Sequence, residues 1–102
     1  MDTEPKKVWT EPEIKEMLLQ STHAVERGIM AIWRKQTEHE KMVERTENLN
    51  FVGFSAFHAA RGTYYANWIN QGNHLTGKHI GLGRKLILHY VGQLTKISNK
   101  EI

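Results

Sequence analysis

The chain contains no cysteine. That excludes disulfides, Cys-based zinc sites and a thiol nucleophile, and it fits a reducing, cytoplasmic setting. It contains only two prolines, both near the start, so nothing after Pro12 forces a break in a helix. No apolar run approaches the roughly 18–20 residues of a membrane span. The first residues, MDTEPKK, are polar and partly acidic, unlike a secretory signal. One absence is positional: between Asn48 and Lys100 there is no Asp or Glu at all.

The 102 residues carry 14 Lys+Arg and 11 Asp+Glu, a net charge of +3 with neutral histidines. This length suits one domain, not a two-domain enzyme with a deep cleft. The charge is unevenly spread. Residues 1–47 hold 8 basic and 10 acidic side chains, whereas residues 48–102 hold 6 basic and one acidic, Glu101.

Residues 1–8 have little to bury and read as a flexible lead-in to a single helical domain over 9–102. Thr10 and Glu13 have the spacing of a capping box, with Pro12 in the first turn and Trp9 and Ile14 as a hydrophobic staple. Apolar residues then recur at three and four residues through Ile14, Met17, Leu18, Val25, Ile29, Ile32 and Trp33. This period predicts one long helix reaching Glu47. Gly28 is its weak point and permits close approach by another helix.

NLNFVGF, residues 48–54, predicts a linker held on the core. Ser55 is the expected cap of a second helix, with Ala56, Ala60, Tyr64 and Trp68, together with Phe57 and Ile69, inward and Gly72 as its stop. Thr76 is the expected cap of a third, whose inner face runs from Ile80 to Ile97. Trp33, Tyr64, Trp68 and Tyr90 fall on apolar stripes and are assigned to the core, with Gln36, Thr37 and Asn50 available to their polar groups. The expected fold is all-α: a three-helix domain with a long N-terminal helix and two shorter ones.

The acid-free half presents positive charge to a polyanion. On the third helix Lys78, Lys85, His89 and Lys96 are spaced 7, 4 and 7 residues apart and share a face. Arg84 and Lys100 flank it. On the second, His58, Arg61 and Tyr65 share a face. Phosphate contact is expected at Lys78, Arg84, Lys85, His89, Lys96 and Arg61, with Tyr65 or an exposed Phe stacking on a base. The competing readings are an ordinary solvated face and neutralisation by the Glu-rich first helix.

Other motifs lead less far. Gly81-Leu82-Gly83-Arg84-Lys85 lacks the preceding strand and the spacing of a phosphate loop. His74, His79 and His89 lack the i,i+4 spacing and carboxylate support of a metal site. Glu38, His39 and Glu40 come without nucleophile or oxyanion donors, and the two carboxylates point about 200° apart on a helix. No enzyme activity, metal or cofactor is therefore expected.

Several segments resemble a small helical module of bacterial and phage proteins, sometimes appended to DNA-processing proteins. Its pattern is R-x-Q-T-x-x-E, then N-x-x-G-F with D-A soon after, a Gly turn, L-T-x-K-Q, and a basic helix ending K-Y-x-x-Q-L. The matching residues are Gln36, Thr37 and Glu40; Asn50, Gly53 and Phe54; Gly72; Leu75, Thr76 and Lys78; and Tyr90, Gln93 and Leu94, within about residues 20–98. His79 stands in place of Gln, and His58-Ala59 in place of Asp-Ala. The resemblance implies a compact helical fold and a lean toward nucleic-acid metabolism, with no particular activity attached.

Two functions follow as expectations. The first is a small nucleic-acid-binding or DNA-processing accessory protein, possible in a phage, using helices two and three. The second is a protein-interaction module, such as a phage anti-defence inhibitor or a subunit of a nucleic-acid-binding complex. It would dock through helix one, or pair with a second copy along Met17, Val25 and Ile32.

Overall fold

The computed structural model describes residues 8–42 and 53–101, with residues 37–42 described by their backbone alone. Residues 1–7 of the lead-in and most of the 48–54 linker lie outside this range, as do the expected helical continuation to Glu47 and the side chains of Thr37, Glu38, His39, Glu40 and Asn50. Among the described residues every regular element is a helix. It holds five helices where three were expected: α1 (Glu11–Gln20), α2 (Thr22–Met42), α3 (Ala56–Asn70), α4 (Lys78–Leu88) and α5 (Val91–Ser98).

The capping box forms as expected. The Glu13 N–H donates to the Thr10 hydroxyl at 3.4 Å, and the Thr10 N–H donates to the Glu13 carboxylate at 3.1 Å. The long first helix, however, breaks at Ser21, which is extended at φ −123°, ψ 122°. Its hydroxyl accepts the Ala24 N–H at 3.1 Å and so opens α2, the local competition by which Ser favours helix starts over helix interiors. On the other side of the break, Arg84 Nε donates to the Leu18 carbonyl at 2.7 Å. That carbonyl is one of those a helix end leaves without a partner. The break lets α1 fold back against α4 and α5 while α2 continues through the core.

Val25, Ile29 and Ile32 are fully buried on α2, and Gly28 admits α4 and α5. A Cβ at Gly28 would stand 3.0 Å from Ile87 Cγ1 and 3.2 Å from Leu94 Cδ1. The proposed dimer seam therefore does not exist as a surface: Val25 and Ile32 are spent inside their own core, and only Met17 of the three is exposed.

The chain enters α3 through Gly53, at φ 103°. Gln36 Oε1 accepts the Phe54 N–H at 3.0 Å, and Gln93 brackets Gly53, accepting its N–H at 3.0 Å and donating to its carbonyl at 3.2 Å. Phe54 is buried edge-on to Tyr90, with ring centroids 5.2 Å apart. Its ring also lies on Gly62, where a Cβ would fall 2.5 Å from two ring carbons. The inner face of α3 is thus Gly62, Tyr65 and Ala66, about one residue round from the predicted stripe. Ala56, Phe57, Ala60, Tyr64 and Trp68 face outward, and Ile69 alone of that stripe packs on the core. Trp68 is partnered there, its Nε1–H donating to the His74 carbonyl at 3.1 Å.

Gly72, at φ 94°, stops α3 as expected. The Asn73 and Gly72 N–H groups donate back to the Trp68 and Ile69 carbonyls at 3.3 and 2.9 Å, the paired bonds of a Schellman motif. Glu26, a buried carboxylate on α2, then fixes the loop to α4. It accepts the Leu75 N–H at 2.8 Å and meets His74 Nδ1 at 3.0 Å. Gly77, not Thr76, occupies the N-cap position of α4; Thr76 contributes its carbonyl, which accepts the His79 N–H at 3.0 Å.

The expected third helix also breaks, at His89 and Tyr90. Tyr90 leaves the helical region at φ −116°, ψ 19°, and its hydroxyl accepts the Ser55 N–H at 2.9 Å. Beyond the break α5 runs to Asn99, whose amide brackets Trp9: it accepts the Trp9 N–H at 2.7 Å and donates to the Trp9 carbonyl at 2.8 Å. One cluster of buried side chains draws on all five helices.

Candidate nucleic-acid interface

Between α3 and α4 lies a groove of about 880 Å³. The rings of His58 and His89 stand 5.0 Å apart and those of Tyr65 and His79 6.0 Å apart. The start of α3 therefore faces the end of α4, and the two helices run antiparallel along the groove. Arg61, Lys78 and Lys85 line it with His58, His79 and His89. Among the described residues no carboxylate lines it, and none pairs with Arg61, Lys78 or Lys85. The acid that does reach this half, Glu26, is committed to His74 and Leu75, neither of them a Lys or Arg.

Of the seven residues expected at the phosphate surface, five line the groove: Arg61, Lys78, Lys85 and His89, all exposed, and Tyr65 beneath them. Tyr65 is 3% exposed and part of the core, so its ring offers no open face to a base. The other two lie outside the groove. Arg84 is half-buried and directs Nε at the Leu18 carbonyl. Lys96 is exposed on α5, but the bend at Tyr90 takes it away from the groove.

Sequence reasoning expected an exposed Phe as a stacking ring but placed Phe57 and Tyr64 on the buried stripe; both line the groove and are 90% and 61% exposed. With Arg61 they have the spacing i, i+4, i+7, within about 60° of arc on a helix. That signal was present in the sequence, but aromatic residues at helical spacing suggest a core.

At the α3 end of the groove His58 Nδ1 meets the Tyr90 hydroxyl at 2.7 Å and the Ser55 hydroxyl at 3.3 Å. Ser55 thus occupies the N-cap position of α3 without capping a backbone N–H. Burial, then the neighbouring His89 and Arg61, hold the His58 pKa below its ordinary value. A neutral ring with Nδ1 accepting from Tyr90 Oη–H fits that direction.

A second groove, of about 460 Å³, lies between α1, α2 and α5 and includes Trp9, Met17, Arg27 and Ile97. Among the described residues no three of His, Cys, Asp and Glu gather as a metal site requires. No described helix is long and apolar enough to cross a membrane.

Comparison with protein-family models, with curated proteins and with solved structures finds no match. The described residues of the module-like pattern have evident work in the fold. Gln36, Gly53, Phe54, Tyr90 and Gln93 form the clasp that joins α2, the start of α3 and the α4–α5 bend. Leu75 and Leu94 are core residues, and Gly72 ends α3.

Proposed function

We propose that the protein binds nucleic acid in the α3–α4 groove, as an accessory factor without catalysis of its own. The observation that carries this reading is the convergence of three cationic side chains, Arg61, Lys78 and Lys85, and three imidazoles in a groove with no described carboxylate. Such a surface attracts phosphates and leaves them no competing acid. Exposed rings beside the cations are the second component of nucleic-acid grooves. Fluorescence anisotropy with labelled DNA and RNA tests it: binding is expected at about 50 mM salt and weakens as salt rises. No binding of any strand type at that salt refutes it.

A second reading, a protein-docking module using α1 and α2, draws on Met17 and Leu19, both exposed on α1. Lys85→Glu leaves such docking intact and impairs nucleic-acid binding.

A further inference from the structure

Nucleic acid presents two different surfaces. A duplex shows phosphates and groove edges, while its base faces are hidden in the stack. A single strand shows phosphates and base faces together. The groove has a counterpart for each. Lys78, Lys85 and His89 fall on one stripe of α4, with Leu82 between them, and Phe57, Arg61 and Tyr64 form the ridge of α3 opposite. Phe57 is the most exposed large apolar side chain described, and Tyr64 follows Val8. Neither ring contributes to the buried core.

Phe57 and Tyr64 are seven residues apart on one helix, a separation of about 10 Å along the axis. Stacked bases rise about 3.4 Å, so about three rises separate the two rings, room for one base on each. Either ring needs an unpaired base with an open face, and Arg61 is placed between them to meet a phosphate.

Resting on the nucleic-acid reading above, we infer that the ligand is a single strand, its bases stacked on Phe57 and Tyr64 and its phosphates held by Arg61, Lys78 and Lys85. A duplex gains only the phosphate contacts, because its base faces are not available to the rings.

Three probes of about 12 nucleotides, a length within the range of known single-strand sites, separate the possibilities. They are a labelled oligothymidine, an abasic oligomer with the same number of phosphates, and a duplex. The base-bearing single strand is expected to bind tightest. Phe57→Ala and Tyr64→Ala should each weaken it by about 5- to 150-fold, the equivalent of one lost stack, and leave duplex binding unchanged. Tyr64→Phe should keep the affinity. Both positions are exposed, and circular dichroism checks that each variant retains its helices. If the abasic oligomer binds as well as oligothymidine, or if the ring variants leave affinity unchanged, the stacking inference fails while the nucleic-acid reading stands. If none of the three probes binds, both fail.

Discussion

Two glycines with positive φ separate two costs that one substitution usually mixes. Gly53 has φ 103° and Gly72 has φ 94°. Alanine at either must adopt a conformation that costs an L-residue about 1–2 kcal/mol. At Gly72 nothing lies within 4 Å of an added Cβ, so that cost stands alone. At Gly53 the added Cβ would fall 2.4 Å from Gln36 Cβ and 2.9 Å from Gln36 Cα. The second of these is backbone within α2 and cannot rotate aside. Relief requires α2 to move away from the clasp, an overpacking cost of about 1–3 kcal/mol. Gly72→Ala should therefore lose about 1–2 kcal/mol and Gly53→Ala about 2–5 kcal/mol, out of a total stability on the order of 5–15 kcal/mol. Gly81→Ala, inside α4 with open space around it, should gain about 0.5–1 kcal/mol. Urea unfolding followed by circular dichroism gives all three values, with unchanged m-values as the check on two-state behaviour. Equal losses at Gly53 and Gly72 would refute the close approach of Gln36.

Glu26→Leu removes the acceptor of the buried Leu75 N–H and should cost about 1–3 kcal/mol. Glu26→Gln, which retains an acceptor, should cost less, and amide exchange at Leu75 should accelerate in the Leu variant. The reverse order would show that the carboxylate does not hold the loop. The lowered pKa of His58 means that the unfolded chain takes up its proton first on acidification. This contribution to stability is full above about pH 6.5, the ordinary His value, and falls as pH drops below it toward the lowered native value. His58→Gln should flatten that part of the stability profile between pH 7.5 and 5.5, measured by urea unfolding; an unchanged slope would contradict the assignment.

Local chemistry was legible in the sequence. Thr10 and Glu13 form their box, Gly72 ends α3, and Gly28 admits two neighbours. What was not legible depends on partners far along the chain. The apolar period passes undisturbed through Ser21 and Tyr90, so periodicity alone joins α1 to α2 and α4 to α5. Both breaks involve bonds across the fold, from Arg84 to the Leu18 carbonyl and from the Ser55 N–H to the Tyr90 hydroxyl. The face of α3 was misjudged because apolar residues lie all round it. The deciding feature was the small residue Gly62, which receives the Phe54 ring. Half of the candidate site followed from charge spacing. The bend at Tyr90 removed Lys96 from it, and the same misjudged face buried Tyr65 within the groove and exposed Phe57 and Tyr64.

The salt dependence of single-strand binding, compared between two charge reversals, tests the central claim most directly. Arg61, Lys78 and Lys85 line the groove; at about 0.7 per neutralised phosphate, the log–log slope should be near −2. That corresponds to a loss of roughly 20-fold between 50 and 200 mM salt. Lys85→Glu should lower both the affinity and the slope, while Lys96→Glu, on α5 outside the groove, should leave both nearly unchanged. Equal losses from the two reversals, or a binding constant indifferent to salt, would contradict the assignment of the α3–α4 groove.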